Sequence, residues 1–286
     1  MNFKDAVRIH SENIEEFTRR QTLAEAQRKN SLHQLIELFV SNSKHREAAE
    51  VYESYRQTLT GASYADRARL CMALASSKKY GAEMRKHCFS DDNIAAGSHG
   101  KVSFVRNRYN EIAFSRFSKI VTRPKEIYAP SFTAACEEVY DSESEFCILP
   151  IENGQNGRLF GFYSMLDRYE LRICAVCEPD IEDGGGAKYA LVGRSVPDRI
   201  PKNSRWGYEL SVISGSGRAL SEISEASEIF GAELLKIDSL PVEYDSGMKK
   251  YYFTFDIPEA NISAFDLFLS EEYSGYTNVG AYPTVD

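Results

Sequence analysis

Phe146-Cys147-Ile148-Leu149-Pro150-Ile151-Glu152-Asn153-Gly154-Gln155-Asn156-Gly157 is the stretch whose reading decides the fold. An apolar run, Phe146 to Leu149, ends in Pro150, Glu152, Asn153 and two glycines. A short apolar run bounded by turn residues reads as a buried strand. A strand that stops in such a turn presents polar side chains and bare backbone N–H groups at its carboxyl end. In open α/β sheets that is where small ligands bind.

Outward from this strand the pattern alternates. Ile94-Ala95-Ala96 reads as a short strand, followed by Gly97-Ser98-His99-Gly100 and a helical stretch. Ile127-Tyr128-Ala129 is a second strand, and Ser131 caps a helix carrying Phe132, Ala135, Cys136 and Val139. After residue 157 come a helix over 158–168, a strand over 171–176, a flexible turn at Glu182 to Gly186, and a strand from Lys188 to Gly193. Alternating strands and helices predict a parallel or mixed sheet covered by helices, here one α/β unit over 93–196. Pro197 to Asn203 reads as a linker.

The region 204–286 has a different order. Trp206 to Ile213 alternates as a strand, Ser214-Gly215-Ser216-Gly217 leads into a helix with Leu220, Ile223 and Ile229, and Gly231 ends that helix. Strands over 233–240 and 249–257 flank a turn at Asp245-Ser246-Gly247, and a helix over 261–271 precedes a last strand near Asn278 to Tyr282. This β-α-β-β-α-β order is ferredoxin-like.

Residues 1–90 read as all helix: there is no proline before position 124 and one glycine, Gly61, before position 81. Leu32, Leu35, Ile36, Phe39 and Val40 have amphipathic spacing. Ser43 is read as a cap with Arg46 and Glu47 in the first turn, and Ser63 as the cap of a third helix carrying Leu70, Met72, Leu74 and Tyr80. The expectation is a three-helix unit whose apolar stripes pack on one another or across a dimer.

Composition narrows the function classes. A formal charge of −8, from 42 acidic and 34 basic residues, argues against general nucleic-acid binding. No apolar run approaches the roughly 20 residues that span a bilayer, and the N-terminus has no apolar signal core, so a cytoplasmic protein is expected. Six scattered cysteines are expected to be reduced. Cys174-Ala175-Val176-Cys177 falls in a strand, where residues three apart point to opposite faces. No metal and no cofactor is therefore expected.

Pro150-Ile151-Glu152-Asn153 resembles the Pro-Ile-Glu-Asn segment of prephenate dehydratases. Gly97-Ser98-His99-Gly100-Lys101-Val102-Ser103 stands where that family has Gly-Pro-x-Gly-(Ser/Thr)-x-Ser, and Gly157 begins the next helix as in the family. Ser216-Gly217-Arg218-Ala219-Leu220, Lys236 to Pro241, Tyr251 to Asp256 and Val279-Gly280-Ala281-Tyr282-Pro283 resemble markers of the ACT domain that follows many of these enzymes. Bifunctional members, the P-proteins, carry a helical chorismate mutase in front, and residues 1–90 have a matching length. The resemblance implies an α+β multi-domain chain: a helical unit, possessing mutase character, over 1–90; a reduced α/β domain, half of a periplasmic-binding-protein-like fold, over 93–196; and an ACT domain over 204–286.

Two departures accompany the match. The family has a second lobe between two crossover strands, whereas here the chain passes from Cys177-Glu178-Pro179 through the Gly184-Gly185-Gly186 turn to the closing strand. Lys188-Tyr189-Ala190 stands where the family has Thr-Arg-Phe, whose Thr is its proposed catalytic acid. The chain is thus read as P-protein-like, of phenylalanine biosynthesis, with the dehydratase site lost. The alternative is a pseudoenzyme that senses an aromatic amino acid or a dimerising assembly protein. Candidate catalytic residues are Arg46 and Glu47 for a mutase and Asn153 for a residual prephenate site. Candidate ligand contacts are Ser98, Ser131, Glu152, Asn153, Gly217, Ala219, Leu220 and Asp238. The resemblance implies an aromatic ligand (prephenate, chorismate or phenylalanine) and a homodimer.

Overall fold

The computed structural model describes residues 3–43, 47–89, 99–153, 157, 158, 160–179, 187–194, 196, 197, 199, 205–215, 218–242 and 245–286. The chain opens with α1 (Phe3–Asn42), α2 (Ala48–Thr58), α3 (Tyr64–Ser76) and α4 (Gly81–Phe89). The α/β half follows: β1 (Lys101–Val105), α5 (Arg108–Phe117), β2 (Lys125–Ala129), α6 (Phe132–Tyr140), β3 (Phe146–Asn153), β4 (Gly157–Arg158), α7 (Phe160–Tyr169), β5 (Arg172–Cys177) and β6 (Lys188–Gly193). The last part is β7 (Arg205–Ser214), α8 (Arg218–Ile229), β8 (Glu233–Val242), β9 (Asp245–Pro258), a 3₁₀ turn, α9 (Ile262–Glu272) and β10 (Tyr276–Tyr282).

One mixed sheet runs through both halves in the order β2-β1-β3-β6-β5-β10-β7-β9-β8, with β4 paired on β3. β1, β2 and β3 are parallel, and β6 lies antiparallel between β3 and β5. Within the last part, β10-β7-β9-β8 are antiparallel neighbours. The halves join where β10 runs parallel to β5 at Gly280 and Ile173. Beyond it Val176 N–H donates to Pro283 O (3.1 Å) and Val285 N–H to Val176 O (2.8 Å). Glycine is required at this seam, because a Cβ on Gly280 would lie 2.5 Å from the Ile173 carbonyl oxygen.

The two faces are covered differently. α5 packs over Phe104, Phe146, Ile148 and Leu191 on one face. On the same face α8 and α9 cover β7 and β9 through Ile223, Phe230, Phe265 and Phe268. α3 and α4 pack on these helices as a further layer. Arg67 grips Glu272 with two bonds, 2.7 and 3.0 Å, and the Tyr52 hydroxyl donates to the same carboxylate. α6 and α7 cover the other face, where Phe162, Tyr163, Leu166 and Tyr169 give α7 its apolar stripe.

The sheet is strongly curled. β3 and β8 stand six strands apart, which a flat sheet would spread over roughly 29 Å. Yet Lys236 of β8 reaches Glu152 of β3 at 3.5 Å. The concave face wraps α7. The Tyr163 ring stacks on Tyr252 of β9 with centroids 3.7 Å apart, and Asp167 meets Lys250 at 2.6 Å.

Several local expectations are corrected. Lys101 to Val105 is a strand, not a helix: Val102, Ser103 and Phe104 are buried between β2 and β3, so pairing on both sides overrides the glycine-rich approach. Gly157 lies in the short strand β4 rather than at a helix start. The helical region has four helices among the described residues, because the chain breaks again at Ser77. Ser63 does cap α3, in a box with Asp66. Glu47, not Ser43, occupies the cap position of α2, without a side-chain bond. Asp245 to Gly247 belong to β9. Cys174 and Cys177 share one apolar cluster, because a bulge between Ile173 and Ala175 resets the alternation. All six thiols are free and buried.

Candidate functional site

The sequence-predicted residues fall in three places. Ser131 caps α6, its Oγ accepting from Ala134 N–H at 3.1 Å, which accounts for it structurally at the far edge of the sheet from β8. Glu47 is an exposed cap-position residue, and Arg46 lies outside the described residues. Ser98 and Gly217 also lie outside them. Ala219 and Leu220 sit half-buried in the first turn of α8, and Leu220 packs against the core.

Glu152 and Asp238, read from different regions of the chain, are brought together. Lys236 lies 3.5 Å from Glu152 and 3.4 Å from Asp238, with Asp238 opposite Tyr252 on the curled sheet. Asn153 ends β3 one residue beyond Glu152, and its side chain lies outside the described ones. Sequence alone did not single out Lys236, because only the curl of the sheet places a β8 residue against β3. At the same end of the sheet Lys188, the first residue of β6, lies 3.6 Å from Glu178. Only residues 178–187 separate β5 from β6, and these strands are direct antiparallel neighbours.

Beneath this rim, on the concave face, Glu209 of β7 is fully buried. The Tyr163 and Tyr282 hydroxyls both donate to it, the latter at 3.1 Å. Hydroxyl donors are what make a buried carboxylate tolerable. Gly207 leaves room for the Tyr282 ring, since a Cβ there would lie 2.3 Å from it. Burial, then the neighbouring Asp167, pushes the Tyr252 hydroxyl well above its ordinary pKa. It therefore stays protonated and donates to Asp167 at 3.2 Å.

The opposite end of the sheet holds a feature the sequence reading missed. β5 and β10 touch at Gly280 and then diverge toward their N-terminal ends, leaving a cleft of about 620 Å³. Arg172, Arg194, Asp266 and Asn278 line it, together with the end of α7. Asp266 Oδ1 accepts from the Tyr208 hydroxyl (3.0 Å), from Asn278 Nδ2 (2.8 Å) and from the Tyr276 hydroxyl. A sequence signal existed: Asp266 is a lone carboxylate inside the apolar stretch Ile262 to Leu269. No group of acidic, histidine or cysteine side chains suited to a metal ion occurs among the described residues. Nor is any helix among them long and apolar enough to cross a membrane.

No protein-family model matches the chain, and no curated protein matches it in sequence. Solved structures do. The prephenate dehydratase of Streptococcus mutans superposes with a TM-score of 0.53 at 18% identity, over 65% of this chain and 99% of that one. GqqA, a quorum-quenching acylase of a novel type, gives 0.49 at 14%, over 64% and 94%. The prephenate dehydratase of Arthrobacter aurescens, in complex with L-Phe, gives 0.44 at 15%, over 64% and 90%. The first of these similarities places the chain's mixed sheet and its covering helices in a prephenate dehydratase-like fold.

Proposed function

We propose that this chain is a P-protein-like member of the chorismate–prephenate branch whose dehydratase site has been lost, and which binds rather than converts a small aromatic acid. The observation that carries the reading is the direct β5–β6 connection. Residues 178–187 leave no space for a second lobe, and Lys188, engaged with Glu178, stands where the resembling family carries its catalytic threonine. A dehydratase must close around its substrate to exclude water and position a proton donor. A one-sided site built from Glu152, Asn153 and Lys236 can hold an acid without completing that chemistry.

In this reading residues 204–286 are an ACT-like sensor, with Asp238 meeting a ligand ammonium and the turn before Ala219 and Leu220 meeting its carboxylate. Residues 1–90 are a mutase-derived helical unit. The homodimer forms through β8, an edge strand that exposes Leu235 and Ile237. The test is the purified protein with prephenate and, separately, chorismate. Phenylpyruvate does not accumulate. Phenylpyruvate formation that disappears in Asn153→Ala would overturn the reading. Chorismate consumption that Arg46→Ala abolishes would restore a catalytic role to the helical unit.

A further inference from the structure

We propose that the cleft between β5 and β10 is a second binding site, for a small carboxylic acid that also carries an ammonium or hydroxyl donor. The inference does not rest on the reading above, which uses the other end of the sheet. Two guanidinium groups border the cleft without a carboxylate partner among the described residues. Arg172 donates to the Cys88 carbonyl at 3.3 Å, and Arg194 lies 5.1 Å over the Tyr140 ring. Neither contact neutralises charge. The third cation, Lys250, is engaged by Asp167. Guanidinium forks match carboxylates in geometry and charge.

The other wall offers acceptors. All three donors to Asp266 converge on Oδ1, and among the described residues Oδ2 has none. The Asn278 side-chain oxygen is buried without a partner. A buried acceptor such as this oxygen is costly to leave unmet, so a donor brought by a ligand is favoured there. Leu166, Leu171 and Val279 supply an apolar surface. An anion alone would meet Asp266 and Glu170 as like charges, whereas an acid with its own donor satisfies both walls. Arg172 and Arg194 belong to the α/β half, and Asp266 and Asn278 to the last part, so the ligand bridges the seam.

The test is a thermal-shift screen of the full chain with the standard L-amino acids, 2-hydroxy-4-methylpentanoate, 4-methylpentanoate and inorganic phosphate at millimolar concentration, followed by calorimetry on the strongest. At least one amino or hydroxy acid binds, more tightly than 4-methylpentanoate and phosphate. Arg172→Gln and Arg194→Gln, each with the circular dichroism of the wild type, weaken it roughly tenfold or more. Asp266→Asn, which keeps an acceptor, weakens the amino acid more than the hydroxy acid. Arg172 and Arg194 lie outside the other site, so the loss of binding in their variants separates the two. Absence of any shift, binding of phosphate alone, or an isotherm unaltered in Arg172→Gln overturns the proposal.

Discussion

Gly280→Ala is the smallest change that tests how the two halves are joined. The added Cβ would stand 2.5 Å from the Ile173 oxygen, 2.7 Å from its Cβ and 2.8 Å from its nitrogen. Two of these are backbone atoms, so β10 must move away by about 1 Å to restore van der Waals contact. Overpacking of this kind costs about 1–3 kcal/mol. The same movement stretches the two bonds that Val176 makes with the strand beyond, at 3.1 and 2.8 Å, each contributing about 0.5–1.5 kcal/mol. A loss of about 3 kcal/mol follows, lowering Tm by roughly 6–12 °C in a chain of this size. Urea unfolding is followed by one probe in the last part and one of the whole chain. Trp206, the single tryptophan, is buried on β7 in the last part, while far-ultraviolet circular dichroism reports all elements. In wild type the two transitions coincide; in Gly280→Ala they separate, because the seam no longer couples them. A variant within about 0.5 kcal/mol of wild type, with coincident transitions, would refute the idea that this crossing holds the halves together.

Three further outcomes are expected. Bonds from Ser63 and Arg28 outweigh burial and hold the Asp66 carboxyl below its ordinary pKa. Its stabilising contribution is thus complete above the unfolded value of about 4 and is lost as pH falls through the folded one. Acid unfolding of Asp66→Asn therefore shows a shallower pH dependence below about pH 4 than wild type, and identical profiles would remove Asp66 from the acid response. Tyr163→Phe strips one donor from buried Glu209 and costs about 1–3 kcal/mol by chemical denaturation, whereas Lys236→Ala, whose ion pairs are partly exposed, costs less than about 1 kcal/mol; the reverse ranking would contradict the placement of these groups. Ile14 and Phe17 are exposed on α1, Phe17 at 69%, so Ile14→Glu/Phe17→Glu leaves monomer stability within about 0.5 kcal/mol, and a larger drop at fixed protein concentration would show that a partner covers them.

Local chemistry was legible in the sequence and long-range geometry was not. The strand at Phe146 to Leu149, the caps at Ser63 and Ser131, and the left-handed Gly231 (φ +64°) that ends α8 each follow from a few adjacent residues. Lys101 to Val105 failed because glycines before it suggested a helix entry, while burial between two strands decided otherwise. The cysteine faces failed because a one-residue bulge inverts alternation without any sequence mark. At the candidate site, Glu152 was visible beside its turn, but its meeting with Lys236 depends on the curl accumulated across the intervening strands. The cleft depends on where two strands part. Of its residues, only the misplaced polarity of Asp266 could have raised suspicion.

The position of β10 has a consequence for how the molecule is made. It follows every other described strand in the sequence, yet it lies in the interior of the sheet, between β5 and β7. Until it emerges, β5 and β7 each expose an unpaired edge, and α7 has only part of the surface it will be wrapped in. The nascent chain therefore passes through a stage with two open strand borders, the kind of surface that invites pairing with other chains. The joining step is also the most non-local of the strand pairings, since Gly280 must find Ile173 more than a hundred residues upstream, which makes it the slow event in closing the sheet.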